Sequence, residues 1–378
     1  MRYCTKCVMP DTKPELTFDE EGVCNACRAH ERKSDSIDWS AREEEFMTLV
    51  NANKKNDGYD ILIPVSGGKD STYQVIKALE LGLKPLCVCF EPTIPTPIGK
   101  ENLQNLQDLG VDLIVVKKDP KVYKSMVIEG FKTLGDNEWP DHVGIFTVPA
   151  HFAVKFNIPL LLWGENSQFE YGGPAASQDN KHLNRRWLEE FGGLLGYRVE
   201  DMIGVDGITQ KDLYLYTYPS DEEIERVGVT GLFLGYYFPW DTRRQTEVSS
   251  AHGFKSASRH IETTYTNFEN LDCYSMTIHD YLKYVKYGFG RATDHACLDV
   301  RNGDISREEA LRLVTRYDGR YPHEAVAEFC NYTQMSREEF DETVDMFTNR
   351  KIFLQDENGE FLRDIDSSLI RDSEYLLK

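Results

Sequence analysis

Asp60-Ile61-Leu62-Ile63-Pro64-Val65-Ser66-Gly67-Gly68-Lys69-Asp70-Ser71-Thr72 is a short apolar run that breaks into a glycine turn and then begins a helical pattern. Strand, turn and helix follow in that order. Two adjacent glycines let the backbone curl with several N–H groups pointing inward, and the start of a helix adds its positive end, so the turn suits a phosphate group. A Gly-Gly pair by itself is more often a hairpin or loop; the flanking strand and helix are what favour a nucleotide site here. A Walker A loop does not fit, because it needs Gly where this chain has Ile63 and Ser or Thr where it has Asp70.

Outward from the turn, apolar runs at 61–65, 86–90, 113–116 and 160–163, with a fifth at 232–236, alternate with helical stretches such as 72–81 and 100–109. That alternation predicts an α/β fold with a parallel sheet covered on both faces. Ligands then bind outside the carboxyl ends of the strands, where the glycine turn lies. Cys87 and Cys89 flank Val88 in the second run and read as small buried side chains rather than a redox pair. The stretch Trp163-Gly164-Glu165-Asn166-Ser167-Gln168-Phe169-Glu170-Tyr171-Gly172-Gly173 would reach the same edge. Either Glu165, Asn166 and Glu170 hold Mg²⁺ or position a substrate, or the stretch is an ordinary glycine-ended turn.

Cys4-Thr5-Lys6-Cys7 and Cys24-Asn25-Ala26-Cys27 are two C-x-x-C knuckles separated by 16 residues. The spacing lets two tight turns present four thiolates to one Zn²⁺, and four thiolates close the shell, so the ion would be structural. It would hold a lobe, residues 1–33, too short to bury a core of its own. A disulfide or redox role for either pair is the weaker alternative. A charged linker helix is expected over 34–57, a nucleotide-binding domain over 58–245 and a mainly helical domain over 246–378.

Lys181, His182, Arg185 and Arg186, beside Trp187, form the densest basic cluster. It is either a solvated helix face or a receptor for the carboxylate or diphosphate of an acidic substrate. Tyr236-Tyr237-Phe238-Pro239-Trp240-Asp241 is unusually aromatic and suits sugar rings or packing against the next domain equally well. Farther on, Ser306-Arg307-Glu308-Glu309 and Ser336-Arg337-Glu338-Glu339 read as capping boxes, and residues 352–362 as a hairpin. Lys286-Tyr287-Gly288-Phe289-Gly290-Arg291-Ala292-Thr293-Asp294-His295 reads as a helix end and a new helix start, with Arg291 a candidate phosphate contact and His295 a remote candidate for a general base.

The chain of 378 residues carries 63 acidic against 43 basic residues, a formal charge of −20. Such a field repels a polyphosphate backbone and argues against a nucleic-acid partner. No apolar run approaches the length of a membrane span, and two cysteines stand where a signal peptide would place its apolar stretch, so a cytoplasmic protein is expected.

Residues 66–71 resemble, letter for letter, the Ser-Gly-Gly-x-Asp-Ser pyrophosphate loop of the N-type ATP pyrophosphatases. The four-cysteine lobe, residues 163–166, 236–241 and 287–295 together are similar to the N-acetyl sugar amidotransferases of lipopolysaccharide and nonulosonic acid assembly. That resemblance implies an adenine nucleotide alpha hydrolase-like core in which ATP adenylates the acetamido carbonyl of an N-acetyl sugar, and ammonia then gives the acetamidino group. In that scheme Ser66, Gly67, Gly68 and Ser71 bind the departing pyrophosphate. Lys69 offsets its charge, Asp70 helps to hold Mg²⁺, and Glu165 and Asn166 join them in the catalytic set. Arg291 would touch the nucleotide, and Glu170, Tyr171, Arg185, Trp240 and Asp241 the sugar. None of the nine cysteines sits in a Gly-x-Cys-x-Gly elbow and residue 2 is Arg2, so the ammonia is expected from a separate glutaminase subunit. Rival readings are a thiolating, tRNA-modifying relative of the same superfamily, opposed by the acidity and by the absence of a cysteine after the fourth strand, and a non-catalytic zinc and nucleotide scaffold.

Overall fold

Among the described residues six strands form one sheet: β1 (Ile61–Pro64), β2 (Pro85–Phe90), β3 (Asp112–Val116), β4 (Leu160–Trp163), β5 (His182–Leu183) and β6 (Thr230–Phe233), in the order β3-β2-β1-β4-β6-β5. The computed structural model describes residues 1–165, 170, 182–183 and 194–375. Five strands run parallel, and the two-residue β5 pairs antiparallel with β6 at the edge. Alternate side chains of β1 go to opposite faces. Ile61 and Ile63 join Cys87, Cys89 and Leu162 on one, and Leu62 joins Leu86, Val88 and Leu161 on the other. Both faces are covered, which is why these strands read as continuous apolar runs rather than alternating ones.

The first face is covered by α2 (Trp39–Asn53), α3 (Lys69–Glu80) and α4 (Pro97–Asp108), through Phe46, Val50, Val75, Ala78 and Leu106. On the second lie α5 (Pro120–Leu134) and α6 (Trp139–Lys155), through Met126, Val127, Phe131, Val143 and Val148. Helices α3 and α4 start three residues before the apolar spacing suggests. The first turn of a helix is fixed by its cap: Thr96 Oγ1 accepts the Gly99 N–H at 2.9 Å with Pro97 just inside, and Gly68 stands at the cap of α3. The linker helix expected over 34–57 is α2, and two helices rather than one link the cysteine lobe to the sheet. One, α1 (Asn25–Ser36), starts inside the cysteine lobe, and Asp38 then caps α2 by accepting the Ala41 N–H at 3.0 Å.

The fifth parallel strand also departs from expectation, since β6 ends at Phe233 and residues Leu234–Tyr237 curl into a helical turn. Its partner β4 ends level with it at Trp163, and Gly235 N–H is tied to Gly164 O at 3.0 Å. The further α-helices of the described residues are α7 (Asp221–Val227), α8 (Thr242–Ala251), α9 (Tyr274–Tyr287), α10 (Arg291–Asn302), α11 (Arg307–Tyr317), α12 (His323–Thr333) and α13 (Arg337–Phe347). Ser336 and Glu339 make the full capping box, whereas at Ser306 only the forward bond forms, the Glu309 carboxylate being taken by Arg312 Nε at 2.8 Å. Residues 352–362 form the expected hairpin as a bridge between Gln355 and Phe361 with Leu362 N–H bonded to Leu354 O at 2.9 Å. Phe131 of α5 stacks on Phe340 of α13 and meets Phe329 of α12 edge to face, each at 5.2 Å, so the C-terminal helices share one hydrophobic core with the second face of the sheet.

Candidate active site

The strand order reverses direction at β1, whose neighbours are β2 on one side and β4 on the other. Loops leaving β1 and β4 therefore meet at the switch point where open parallel sheets bind ligands. Residues 66–71 leave β1 there. Gly67 has φ +87°, and a Cβ on it would lie 2.7 Å from the backbone nitrogen of Leu103, so no other residue fits. Gly68, by contrast, has the ordinary extended φ of −69°. One glycine makes the curl, and the second leaves the loop bare where a phosphate would approach. The N–H groups in the first turn of α3 have no acceptor within the helix and face the ligand side with its positive end. Ser71 and Thr72 turn their hydroxyls back to Gly68 O at 3.0 and 2.9 Å, which fixes the turn.

Lys69 is only 4 % exposed, its ammonium held between Asp70 at 2.7 Å and Glu269 at 2.9 Å. Burial lowers its proton affinity, but the two carboxylates outweigh burial and hold its pKa above the ordinary lysine range. The Asp70 side chain is 40 % exposed yet enclosed on its inner side; burial and Glu269 raise its pKa against the pull of Lys69. Glu165, one residue past Gly164, has its pKa pushed up to about 8 by burial, with Asp70 and Glu170 adding repulsion. The site thus holds more carboxylates than its lysine neutralises, a donor set that fits a divalent cation bridging to phosphate.

Three of these contacts come from the C-terminal region and are absent from the local motif. Glu269 pairs with Lys69, Ser249 donates its hydroxyl to Lys69 O at 3.0 Å, and Asp272, its own pKa raised by burial, accepts a hydrogen bond from Ser66. The only trace in the sequence is that residues 267–272, Asn-Phe-Glu-Asn-Leu-Asp, are polar without helical period. Arg291 opens α10 and lies close enough to Asp70 to draw its pKa down. Its guanidinium meets Asn270 Oδ1 at 3.0 Å and Asp280 Oδ2 at 3.4 Å. Asn270 also lines a cavity of about 410 Å³ with Thr96, Ile98, Arg259, Glu262 and Tyr274. His295 is buried against the hydroxyls of Thr264 and Thr266, at 2.9 and 3.3 Å from its Nδ1, and burial and then Arg291 hold its pKa well below the usual range, so it stays neutral.

Among the other expected contacts, Glu170 is buried and its carbonyl accepts from Arg301. Asn166, Tyr171 and Arg185, with Lys181, Arg186 and Trp187, lie outside the described residues. Trp240 is 7 % exposed, and a Cβ at Gly164 would come within 2.9 Å of its ring, so it buttresses the turn that carries Glu165. Asp241 caps α8 by accepting the Arg244 N–H at 2.7 Å. Both side chains are engaged within the protein.

The four lobe cysteines are buried, with Cys4 Sγ 4.0 Å from Cys27 Sγ and Cys7 Sγ 3.8 Å from Cys24 Sγ. These separations are about twice a disulfide bond. They match the ~3.8 Å edge of a tetrahedron with Zn–S bonds of ~2.3 Å, so the residues fit a zinc ion. Backbone N–H groups of Lys6, Cys7 and Cys24 point at Cys4 Sγ within 3.4 Å, as a thiolate requires. The lobe packs on Phe289, Ala296 and Cys297 near and on α10 and on Ala310 and Val314 of α11, where Arg307 donates to Cys7 O at 3.1 Å.

Residues 262–366 match the family model described as LPS biosynthesis protein WbpG-like, C-terminal domain. This supports the resemblance to the lipopolysaccharide amidotransferases. No curated protein matches the chain. Among solved structures the chain is similar to the NH3-dependent NAD synthetase of Campylobacter jejuni, at 13 % identity and TM-score 0.29 over 59 % of this chain and 100 % of that one. It is also similar to the NMN synthetase of Francisella tularensis, at 12 % identity and TM-score 0.28 over 60 % and 100 %. The NAD+ synthetase of Burkholderia pseudomallei follows at 12 % and 0.25 over 60 % and 93 %.

Proposed function

We propose that the chain is an ATP-dependent amidotransferase acting on the acetamido group of an N-acetyl sugar in lipopolysaccharide or nonulosonic acid assembly. The observation that carries this reading is the curled loop at residues 66–71, set at the sheet's switch point with Lys69 buried behind it. An amide carbonyl is a poor electrophile, so its oxygen must become a leaving group before ammonia can displace it. The carbonyl oxygen attacks the α-phosphorus of ATP, the bond to the β-phosphate oxygen breaks, and pyrophosphate leaves. Ammonia adds to the activated carbon, AMP departs with the former carbonyl oxygen, and an acetamidino group remains.

The loop amides and Ser66 hold the leaving pyrophosphate, and the Lys69 ammonium offsets its growing charge. Asp70, Glu269 and Glu165 are the residues that would hold Mg²⁺, which when bound screens the phosphates from these carboxylates. Arg291 approaches the nucleotide from the C-terminal side. The cavity beside Asn270 has the volume of a small-ligand site and is assigned to the sugar.

Ammonia is assigned to a separate glutaminase subunit. Supporting this, eight of the nine cysteines are buried, four of them in the lobe cluster, and burial pushes the half-buried Cys330 thiol up rather than activating it. A reaction with ATP, ammonium and a panel of acetamido sugars carrying ¹⁸O in the acetamido carbonyl tests the reading. The label is expected in AMP and the sugar lighter by the difference between O and NH; label found only in water or unreacted sugar refutes it.

A further inference from the structure

Residues 136–142, Asp-Asn-Glu-Trp-Pro-Asp-His, run from the end of α5 into the first turn of α6 and bring three acids into the interior. Asp136 is 3 % exposed, Glu138 2 % and Asp141 8 %. Burying a carboxylate is costly unless something compensates it. Asp141 is compensated by Thr93 Oγ1 at 2.5 Å, the Tyr123 hydroxyl and Lys118 at 3.5 Å. Glu138 accepts from the Asn137 amide at 3.2 Å, which also reaches Ser275. Asp136 faces something else. Its Oδ1 lies 3.0 Å from His279 Nδ1 and its Oδ2 3.5 Å from His142 Nδ1, and Oδ1 also accepts the Glu138 N–H at 2.9 Å.

From this convergence we propose that Asp136, His142 and His279 bind a divalent metal ion of the zinc, cobalt or manganese class, at a site separate from the cysteine cluster and from the nucleotide loop. The three ligand atoms lie within 4.8 Å of one another. The two carboxylate oxygens lie 3.0 and 3.5 Å from the two Nδ1 atoms, each oxygen facing one imidazole, close to the ~3.4 Å that separates ligand atoms with bonds of ~2.0–2.1 Å to one ion. The imidazoles meet edge to face, at 83° with centroids 5.0 Å apart, so that both Nδ1 atoms turn toward the carboxylate.

Each ligand is also placed by the fold. His142 sits in the first turn of α6, His279 in the middle of α9, and Asp136 directly after the left-handed Gly135 that ends α5. An ion has a way in, since the His142 and His279 side chains are 19 % and 27 % exposed. Two imidazoles and one carboxylate leave at least one coordination position for water or a substrate oxygen, unlike the closed four-thiolate centre. The ion would also clamp α6, on the sheet, to α9 of the C-terminal helices.

Metal content decides the matter in the full-length protein, loaded with Zn²⁺ and separately with Co²⁺ after chelator treatment and gel filtration. Two equivalents are expected in the wild type, one in His279→Ala and in His142→Gln, and one in Cys24→Ser/Cys27→Ser. The Co²⁺ spectrum lost with His279→Ala should lack the thiolate charge-transfer band that the cysteine variant loses. A single equivalent in the wild type, or unchanged stoichiometry in both histidine variants, overturns the proposal, with Asp136 then simply bridging two imidazoles. Should neither histidine variant fold, the wild-type stoichiometry and the presence of a second, thiolate-free Co²⁺ spectrum decide it alone.

Discussion

The cysteine lobe and the nucleotide loop are both small turns rich in polar atoms, yet they are completed in opposite ways. All four sulfurs of the lobe come from residues 4–27, within one continuous stretch. The loop supplies its own curl, but Lys69 is set by Glu269, Ser66 by Asp272 and the Lys69 carbonyl by Ser249, some two hundred residues on. A site closed within its own stretch can be read from spacing. A site closed by a distant stretch shows only half of itself.

The contrast breaks most visibly if the lobe is opened. Cys24→Ser with Cys27→Ser removes half of a cluster that fits zinc, an ion that contributes on the order of 10 kcal/mol in small zinc domains. The lobe should lose its metal and become sensitive to limited proteolysis within residues 1–33, and activity should fall because α10, which carries Arg291, loses the lobe that packs on it. Intact proteolytic resistance in the metal-free variant would show that packing alone holds it.

Next is Lys69→Met, expected to lower kcat by ~10²–10³-fold, the usual loss on removing one preorganised charge-stabilising group. It also leaves Asp70 and Glu269 facing each other unpaired, so Glu269→Gln combined with it should restore stability in a urea titration without restoring turnover. Gly67→Ala should cost ~1–2 kcal/mol from the left-handed backbone alone, plus the clash with Leu103, while Gly68→Ala costs less in stability and more in ATP affinity. Equal stability losses at the two glycines would contradict the division of labour between them.

The last test concerns Glu165. Its folded pKa of about 8 stands above the unfolded value, mainly through burial. Between the two values the folded state holds a proton that the unfolded state has released, so stability contributed by this group is present at acid pH and is lost as pH rises toward 8. Glu165→Gln should therefore match the wild type in thermal midpoint near pH 5 and exceed it near pH 8, in the absence of nucleotide. A parallel pH dependence of the two proteins would show that the carboxyl is ionised throughout.

The sheet was legible because each buried strand is a run such as Leu86-Cys87-Val88-Cys89-Phe90, and the turn because Ser66-Gly67-Gly68 interrupts one abruptly. The two C-x-x-C knuckles needed nothing beyond their spacing. What could not be read were contacts set by tertiary packing. Nothing local marks Glu269 as the partner of Lys69, or tells that Asp241 would be used as a helix cap and Trp240 as a wall behind Gly164. Asp136, His142 and His279 were invisible for the same reason, since the third lies on a helix that only packing brings to the first two. The strand expected to run through Tyr236 ended early because its neighbour ended, a fact that belongs to the pair and not to either sequence.

The seat of the cysteine lobe has a consequence for biosynthesis. Residues 4–27 leave the ribosome well before Phe289, Ala296 and Ala310, on which the lobe rests. At ~5–20 residues per second the nascent lobe waits on the order of tens of seconds for them. Early capture of zinc would keep its apolar side ordered through that interval, and zinc-starved cells should accumulate the protein as protease-nicked or aggregated nascent product rather than as a mature enzyme that later falls apart.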